Sequence, residues 1–357
     1  CTEGGTMSIA GKVQTVLGPI EPSELGITQT HEHLLVNTHA IRPEPTEASA
    51  QRIFHAPMSP SISAYIRHYG MENLDNAVLD DIDVAIEEVS LYKRQGGQAI
   101  VEVTSNGIGR DPSGLEQISR STGLHIVAGA SYYVADAHPS DMDTKSEDDI
   151  IEEIIHDVTI GYKDTGVRSG VIGEVGCSWP LTANEQKVVR ASGRAQVITG
   201  APILIHPGRD EKAPLDIINI LRGVGVQTER VIMGHIDRTI FSEDRLLELA
   251  ETGCYLEWDL FGTEVSYYPG NTKVERPGDG KRMDDILFLI RHGYGDRVVI
   301  AQDTFLKFQL IRHGGFGYGY IQSHIVPRMR DRGYSQEDLD HILIHNPARV
   351  LTFSDPQ

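Results

Sequence analysis

Short apolar segments alternate with longer amphipathic segments along most of this chain. Strands that alternate with helices predict βαβ units and a parallel sheet. Eight repeats of this kind predict an α/β fold, a (β/α)8 TIM barrel. A doubly wound open sheet is the alternative, although no glycine fingerprint follows the first strand. The short segments are rich in β-branched residues and predict strands at Ile27–His33, Gln98–Thr104, His125–Ser131, Gly170–Val175, Pro202–His206, Arg230–His235, Cys254–Trp258 and Arg297–Gln302.

The segments between these strands carry the start and stop signals of helices. Asp111-Pro112 offers an N-cap with proline at the first helical position. Thr182-Ala183-Asn184-Glu185 has the form of a capping box, and Gly200 ends its helix. The other predicted helices are Asn73–Gln95, Ser146–Lys163, Pro214–Leu221, Ser242–Glu251 and Arg282–Arg291.

The remaining segments predict a cap and two long loops. Lys12–Leu25 predicts a short N-terminal hairpin cap with Gly18-Pro19 at its turn, and Met58–Tyr69 and Ser266–Gly280 predict loops long enough to border a pocket. No linker divides the chain, so we expect one domain over residues 7–357. We interpret residues 1–6 as a cloning remnant that precedes the natural start at Met7.

Composition excludes several classes of protein. Of the 357 residues, 39% are hydrophobic and 23% are charged, which excludes disordered and collagen-like chains. The net charge of −19 argues against nucleic acid and anionic membranes as partners. Three cysteines, with no signal peptide after Met7, predict a reducing compartment and hence the cytoplasm. We expect a small-molecule substrate, and leave a homodimer open.

Six polar residues stand at or just after the ends of predicted strands. Because a barrel gathers the carboxyl ends of its strands into one mouth, we expect these side chains to meet. Each alone has another explanation, such as a buried histidine or a loop-capping carboxylate, but six in register favour a metal site. They are His31, His33, Glu174, His206, His235 and Asp303.

Four histidines and two carboxylates suit two divalent metal ions per chain. Nitrogen and oxygen donors favour zinc, with manganese, cobalt or iron as substitutes. A two-metal site lowers the pKa of bound water and polarises a carbonyl or phosphoryl oxygen. Asp303 is then both a ligand and the catalytic proton acceptor.

The chain resembles the phosphotriesterase family of the amidohydrolase superfamily, and within it the phosphotriesterase-related branch. The resemblance extends from about Ser8 to Phe353. The segments that carry it are Gly11–Gly18, Thr30–Leu34, Gly173–Thr182, His206–Arg209 and Asn346–Leu351.

This resemblance implies how the six residues divide between the metals. His31 and His33, with Asp303, are expected to bind the more buried metal, and His206 and His235 the exposed one. Glu174 stands where better-known relatives carry a carboxylated lysine, and is expected to bridge the two metals.

The resemblance also implies a substrate, N-acetyltaurine or a related N-acyl taurine, hydrolysed at its amide bond. The sulfonate needs a cation, for which Arg209, beside His206, is the first candidate, ahead of Arg110, Lys307 and Arg312. Aromatic residues near strand ends either line the pocket or pack in the core. They are Tyr132, Tyr133, Trp179 and Trp258.

Three other functions stay open at this point. The metal-dependent hydrolase could act as a lactonase or as a phosphotriesterase-like esterase, because loops rather than catalytic residues select the substrate. A non-catalytic barrel that binds a small molecule is the third. The complete set of six ligands favours an enzyme.

Overall fold

The computed structural model describes residues 9–70 and 72–356. The residues interpreted as a cloning remnant, and the predicted start at Met7, therefore lie outside the described residues. The strands are β1 Val13–Thr15, β2 Gly18–Ile20, β3 Thr28–Glu32, β4 Val36–Asn37, β5 Val78–Leu79, β6 Ala99–Glu102, β7 His125–Ala128, β8 Ile172–Gly176, β9 Ile203–His206, β10 Val231–Met233, β11 Tyr255–Trp258 and β12 Val298–Ile300.

Helices follow most of these strands and form the outer layer. The α-helices are α1 Ala48–Phe54, α2 Ser63–Tyr69, α3 Ile82–Arg94, α4 Pro112–Thr122, α5 Glu147–Thr159, α6 Ala183–Thr199, α7 Ala213–Gly223, α8 Ile236–Thr239, α9 Glu243–Ala250, α10 Asp279–Arg291, α11 Val326–Asp331, α12 Gln336–Asp340 and α13 Asn346–Leu351. Short 3-10 turns lie at Pro22–Glu24, His39–Ile41, Pro60–Ile62, Asp75–Ala77, Ala135–Ala137, Thr228–Arg230, Gly295–Arg297, Lys307–Gln309 and Ile311–His313. Two π-helical turns, Ile321–Ile325 and His341–His345, precede α11 and α13.

Eight parallel strands form the predicted barrel. One sheet has the order β3-β6-β7 and a second has the order β12-β11-β10-β9-β8. Between β7 and β8, the Gly173 amide donates to the Ala130 carbonyl over 2.9 Å. Between β12 and β3, the Asp303 amide donates to the His31 carbonyl over 3.2 Å. These contacts join the two sheets into a closed ring, so the predicted TIM barrel is confirmed.

Glu32 strengthens the second junction. Its side chain lies between β3 and the end of β12. There its carboxylate accepts hydrogen bonds from the amides of Gln302 at 2.7 Å and Thr304 at 2.8 Å. Burial raises the pKa of this carboxyl group to about 8. Glu32 therefore ties the backbone on both sides of Asp303 to the first barrel strand.

Alternation along the strands divides the core in two. Inward side chains such as Leu204, Ile232 and Tyr255 fill the barrel interior. Outward side chains such as Ile203 and Trp258 pack between the strands and the helices. On each strand, the next inward-facing residue after the last apolar layer therefore has its side chain at the mouth of the barrel.

Three local predictions were wrong. The hairpin pairs Thr15 with Gly18, so Gly18-Pro19 lies in its second strand rather than at its turn. The first predicted helix begins at Ile82 because the preceding residues pair with Val36–Asn37 as β5. The predicted loop Met58–Tyr69 contains α2, which buries Ile66. In the first two cases, pairing between strands determined a backbone conformation that the local sequence did not specify.

Cys177 and Cys254 are free and buried, as predicted for a chain without structural disulfides; Cys1 lies outside the described residues. Among the described helices, none has the length and apolar character needed to cross a membrane.

Arg282 holds the loops that follow β10 and β11. Its guanidinium is fully buried, 2.8 Å from Asp237 and 2.7 Å from Asp279. The same two carboxylates accept the amides of Leu260 and Gly262. One arginine therefore orders two backbone segments at the mouth of the barrel.

We expect Arg282→Met to lower the free energy of unfolding by about 3–5 kcal/mol, because two buried carboxylates lose their counterion. Urea denaturation measures the loss. Arg291→Met, at the exposed end of α10, is the control and should change stability by less than about 0.5 kcal/mol. Equal stabilities for both variants would contradict this role of Arg282.

Candidate metal centre

Four histidines meet at the carboxyl end of the barrel. His31 and His33 lie at the end of β3, His206 is the last residue of β9, and His235 follows β10. The ring of His235 is centred 4.8 Å from that of His31 and 4.4 Å from that of His206. All four side chains are buried. The structure thus brings together the histidines that the sequence pattern placed at strand ends.

Glu174 lies at the centre of these rings. One of its carboxylate oxygens, Oε2, is 2.8 Å from His206 Nδ1 and 3.5 Å from His31 Nε2. The other, Oε1, is 3.4 Å from His33 Nε2. Each oxygen thus faces a different part of the cluster.

Asp303 borders the side of the cluster that β3 forms. Its Oδ1 is 3.3 Å from His33 Nε2 and 3.8 Å from His31 Nε2. The side chain is nearly buried. Together with His31 and His33 it forms one group of candidate ligands.

Irregular backbone aims three of these side chains inward. The register of β8 shifts between Ile172 and Val175, which turns Glu174 toward the barrel axis. His235 and Asp303 have φ angles of 53° and 50°, in the left-handed region that residues other than glycine seldom adopt. The strand ends are therefore bent where they deliver their polar side chains.

Further carboxylates orient the histidines from behind. Asp259 accepts from His235 Nδ1 over 2.7 Å, and Glu257 lies 3.0 Å from His31 Nδ1. Sequence analysis did not single out either residue. The signal was present, because both are acidic and lie at or just after the end of an apolar strand.

A third histidine is held by a two-residue relay. His33 Nδ1 lies 2.8 Å from the hydroxyl of Thr104, which donates to Glu102 over 2.6 Å. Sequence analysis missed this pair as well. Contacts of this kind fix the tautomer and the orientation of metal-binding imidazoles.

The donor set fits divalent metal ions. The Nε2 atom of His31 is buried and has no hydrogen-bond partner, yet it faces Glu174 and Asp303 at 3.5 and 3.8 Å. Two groups bring ligand atoms within 4.8 Å of one another, which are His31, His33 and Asp303, and Glu174, His206 and His235. A third group consists of His31, His235 and Asp259. Imidazole nitrogens with carboxylate oxygens are typical ligands of zinc and similar ions.

Electrostatics favour the ligand forms of His206 and Glu174, whereas at His31, His33 and His235 the effect of burial is outweighed by neighbouring carboxylates, which raise the pKa of each ring. Burial and the neighbouring His235 lower the pKa of His206 well below its usual range, which keeps the ring neutral. Burial alone would raise the pKa of Glu174, but the surrounding histidines lower it well below its usual range. A neutral imidazole and an ionised carboxylate are the forms that bind metal.

The structure separates the residues expected to bind substrate. Arg209 lies at the mouth, where its Nε donates to the hydroxyl of Tyr268 over 2.5 Å. Trp258 does not line the mouth, because it faces outward from β11 and is buried in the core between strands and helices. Tyr132 also lies elsewhere, but its neighbour Tyr133 has its hydroxyl 3.5 Å from His206 Nδ1.

Tyr132 instead lines a separate surface cleft of about 710 Å³ beside α5. Its hydroxyl donates to Glu153 and accepts from Lys145. The described lining of this cleft includes none of the six predicted metal ligands and is mainly acidic, with Asp141, Glu152, Glu153 and Asp157 beside Lys145 and Lys163.

The other predicted cations are engaged elsewhere. Arg110 is buried against Asp157, and Lys307 pairs with Asp75 at 2.6 Å. Arg312 is exposed. The structure therefore leaves Arg209 as the one predicted cation that lies near the cluster.

Comparison with known proteins identifies the family. The model of the phosphotriesterase family matches residues 11–351. The chain belongs to the phosphotriesterase family. This family comprises metal-dependent hydrolases with two metal ions, which agrees with the donor groups described above.

Several named proteins of the phosphotriesterase family are similar to this chain over nearly its whole length. A protein named N-acetyltaurine hydrolase from Dictyostelium discoideum is 43% identical, over 96% of this chain and 98% of its own. A protein of the same name from Rattus norvegicus is 41% identical over 97% and 99%. Among solved structures, a resiniferatoxin-binding protein from Rhodobacter sphaeroides is 35% identical, with a TM-score of 0.92 over 97% of this chain and 98% of its own.

The role of the Thr104–Glu102 pair in orienting His33 can be tested by substitution. We expect Thr104→Val to lower the affinity for divalent metal about 10- to 100-fold, because His33 loses the contact that orients it. Metal titration followed by metal analysis measures this. Thr199→Val removes a buried hydroxyl from α6 and is the matched control, with unchanged affinity expected. Equal affinities in the two variants would remove Thr104 from this role.

Proposed function

We propose that the chain hydrolyses N-acetyltaurine, or a closely related N-acyl taurine, to the carboxylic acid and taurine. The observation that carries this is the buried cluster of four histidines with Glu174 and Asp303, in a chain 41–43% identical over nearly its whole length to proteins named N-acetyltaurine hydrolase. Amide hydrolysis suits the site, because metal-dependent hydrolases activate water and a carbonyl group together.

We propose two zinc ions as the metals. His31, His33 and Asp303 would hold one ion, His206 and His235 the other, and Glu174 would contribute one oxygen to each. When bound, such ions supply Lewis-acid polarisation of a carbonyl and lower the pKa of water. Oε1 of Glu174 lies near His33 and Oε2 lies near His206, which supports the assignment of Glu174 as the bridging ligand.

The protein's own residues supply proton transfer and binding. Asp303 turns Oδ1 toward His31 and His33, which leaves Oδ2 to take the proton from the attacking water. Burial, with Glu174 and Asp303, raises the pKa of Tyr133 well above its usual range, so its hydroxyl stays a hydrogen-bond donor beside the reacting carbonyl. Arg209 would bind the sulfonate.

A barrel that binds small molecules without turnover is the second candidate. The observation in its favour is the 35% identical structure described as a resiniferatoxin-binding protein. Catalysis is favoured because the complete donor set is present. The cytoplasmic location, the homodimer and the single domain over residues 7–357 stay predictions.

A substrate panel tests the function. We expect zinc-loaded protein to release acetate and taurine from N-acetyltaurine faster than it hydrolyses lactones or phosphotriesters, measured by quantifying both products. Asp303→Asn should reduce turnover about 100- to 10,000-fold and remain folded, because it lacks the proton acceptor. Stoichiometric metal with no turnover on any member of the panel would favour the binding barrel.

Glu174 gives a second test. Because a glutamate is already ionised at neutral pH, we expect metal-free protein to regain activity with metal alone and to gain nothing from bicarbonate. Glu174→Gln should lose at least one metal and nearly all activity, since two close cations lose the charge that offsets their repulsion. Two bound metals per chain with near-normal turnover in this variant would refute the bridging role.

A further inference from the structure

Arg238 is a buried arginine that contacts a predicted metal ligand, His206. It lies in α8, three residues after His235, and is 4% exposed. Two other buried arginines, Arg110 and Arg282, each form ion pairs with buried or nearly buried carboxylates. Among the described residues, no carboxylate oxygen lies within 4.0 Å of the Arg238 guanidinium. A buried charge without a counterion is costly, so this position calls for an anion from elsewhere.

Arg238 faces the metal centre rather than the surface. Its Nη2 donates to Nε2 of His206 over 3.0 Å, and its Nη1 donates to the carbonyl of Pro207 over 3.1 Å. The segment that it touches leads directly to Arg209. Arg238 therefore contacts the turn at the end of β9 from which Arg209 extends.

Tyr133 and Arg238 contact the two nitrogens of one imidazole. The Tyr133 hydroxyl lies 3.5 Å from His206 Nδ1, and Arg238 Nη2 lies 3.0 Å from His206 Nε2. Both side chains therefore border the histidine at the end of β9.

Arg209 also has hydrogen-bond donors that can bind a ligand. Only its Nε has a partner in the described part of the chain, the Tyr268 hydroxyl, so Nη1 and Nη2 are available to a ligand. Gly270 leaves room for this arrangement, since a Cβ atom there would lie 2.6 Å from Arg209 Nε. Arg276 lies on the same tyrosine ring but donates to the Val265 carbonyl, which makes it a support of the loop.

The proposed ligand assignment supplies a further reason for a free donor on Arg238. A neutral imidazole carries one proton. If Nδ1 of His206 binds metal, the proton stays on Nε2, and Nε2 no longer accepts from Arg238. The Nη2 donor of Arg238 then needs another acceptor.

We propose that Arg238 and Arg209 together form the subsite that binds the sulfonate of the substrate, and that Arg238 determines specificity for an anionic amine half. The identity of the anion rests on the proposed hydrolysis of N-acetyltaurine. Two guanidinium groups match the three oxygens of a sulfonate, and charge-assisted hydrogen bonds of this kind are the strong ones. In a chain with a net charge of −19, an anion needs such a local site.

The experiment compares an anionic and a neutral amide of similar size, N-acetyltaurine and N-propylacetamide. We expect Arg238→Met to lower kcat/KM for N-acetyltaurine about 10- to 100-fold more than for N-propylacetamide. Arg209→Met should act in the same direction. Arg238→Lys, which keeps the charge but not the fork, should fall between the wild type and Arg238→Met.

A role confined to orienting His206 predicts something different. It predicts equal losses for both amides, together with reduced metal content, and that result would overturn the subsite. Arg291→Met removes one exposed positive charge from the end of α10 and controls for net charge, with an unchanged ratio expected.

Binding of 1-propanesulfonate separates this inference from the proposed function. Calorimetry on metal-loaded protein measures it without any turnover. We expect Arg238→Met to weaken this binding about 10- to 100-fold even if N-acetyltaurine proves not to be a substrate. Equal affinity in the wild type and in Arg238→Met would overturn the subsite, even if N-acetyltaurine is hydrolysed.

Discussion

The buried carboxylate of Glu32 is the contact on which the site depends most. It stands between His31 and His33 in sequence, and it binds the backbone amides on both sides of Asp303. Without it, the first and last strands of the barrel would meet mainly through the hydrogen bonds of their own backbones. Because this side chain reinforces the backbone contacts between the two strands, the two histidines and the aspartate keep a common frame. Asp303 and the imidazoles that it faces are therefore held in place by the same contact.

Around this frame, polar groups are arranged in layers. The central atoms belong to the four histidines and two carboxylates, and behind them stand Asp259, Glu257 and the Thr104–Glu102 pair. Each outer group satisfies the imidazole nitrogen that points away from the centre. Barrel alternation makes this possible, because inward residues two apart in one strand lie at successive depths. The apolar layer of Leu204 and Ile232 lies beneath, and it closes the floor of the site.

Much of this was predictable from the sequence. Eight apolar segments and six polar residues at their ends sufficed to predict the barrel and the cluster. The two neighbouring tyrosines show why details were not predictable. Ser131 has a φ angle of 78°, which breaks alternation just before them, so the residue that faces His206 is Tyr133 and not Tyr132. The prediction that Trp258 lines the pocket was wrong because both faces of a barrel strand are buried. Hydrophobicity therefore does not show whether a side chain points toward the barrel axis or toward the helices. Arg238 lies in a helix of four residues that no periodicity marks.

The left-handed backbone at His235 and Asp303 has a consequence for how this barrel can change. A non-glycine residue in such a conformation costs on the order of 1 kcal/mol, and glycine at either position would relieve that strain while deleting a functional side chain. Selection for thermal stability alone would thus favour the loss of the site. At the mouth of the barrel, substitutions that raise thermal stability are consequently expected to lower turnover. At the opposite end, where none of the six predicted ligands lies, we expect no such trade-off.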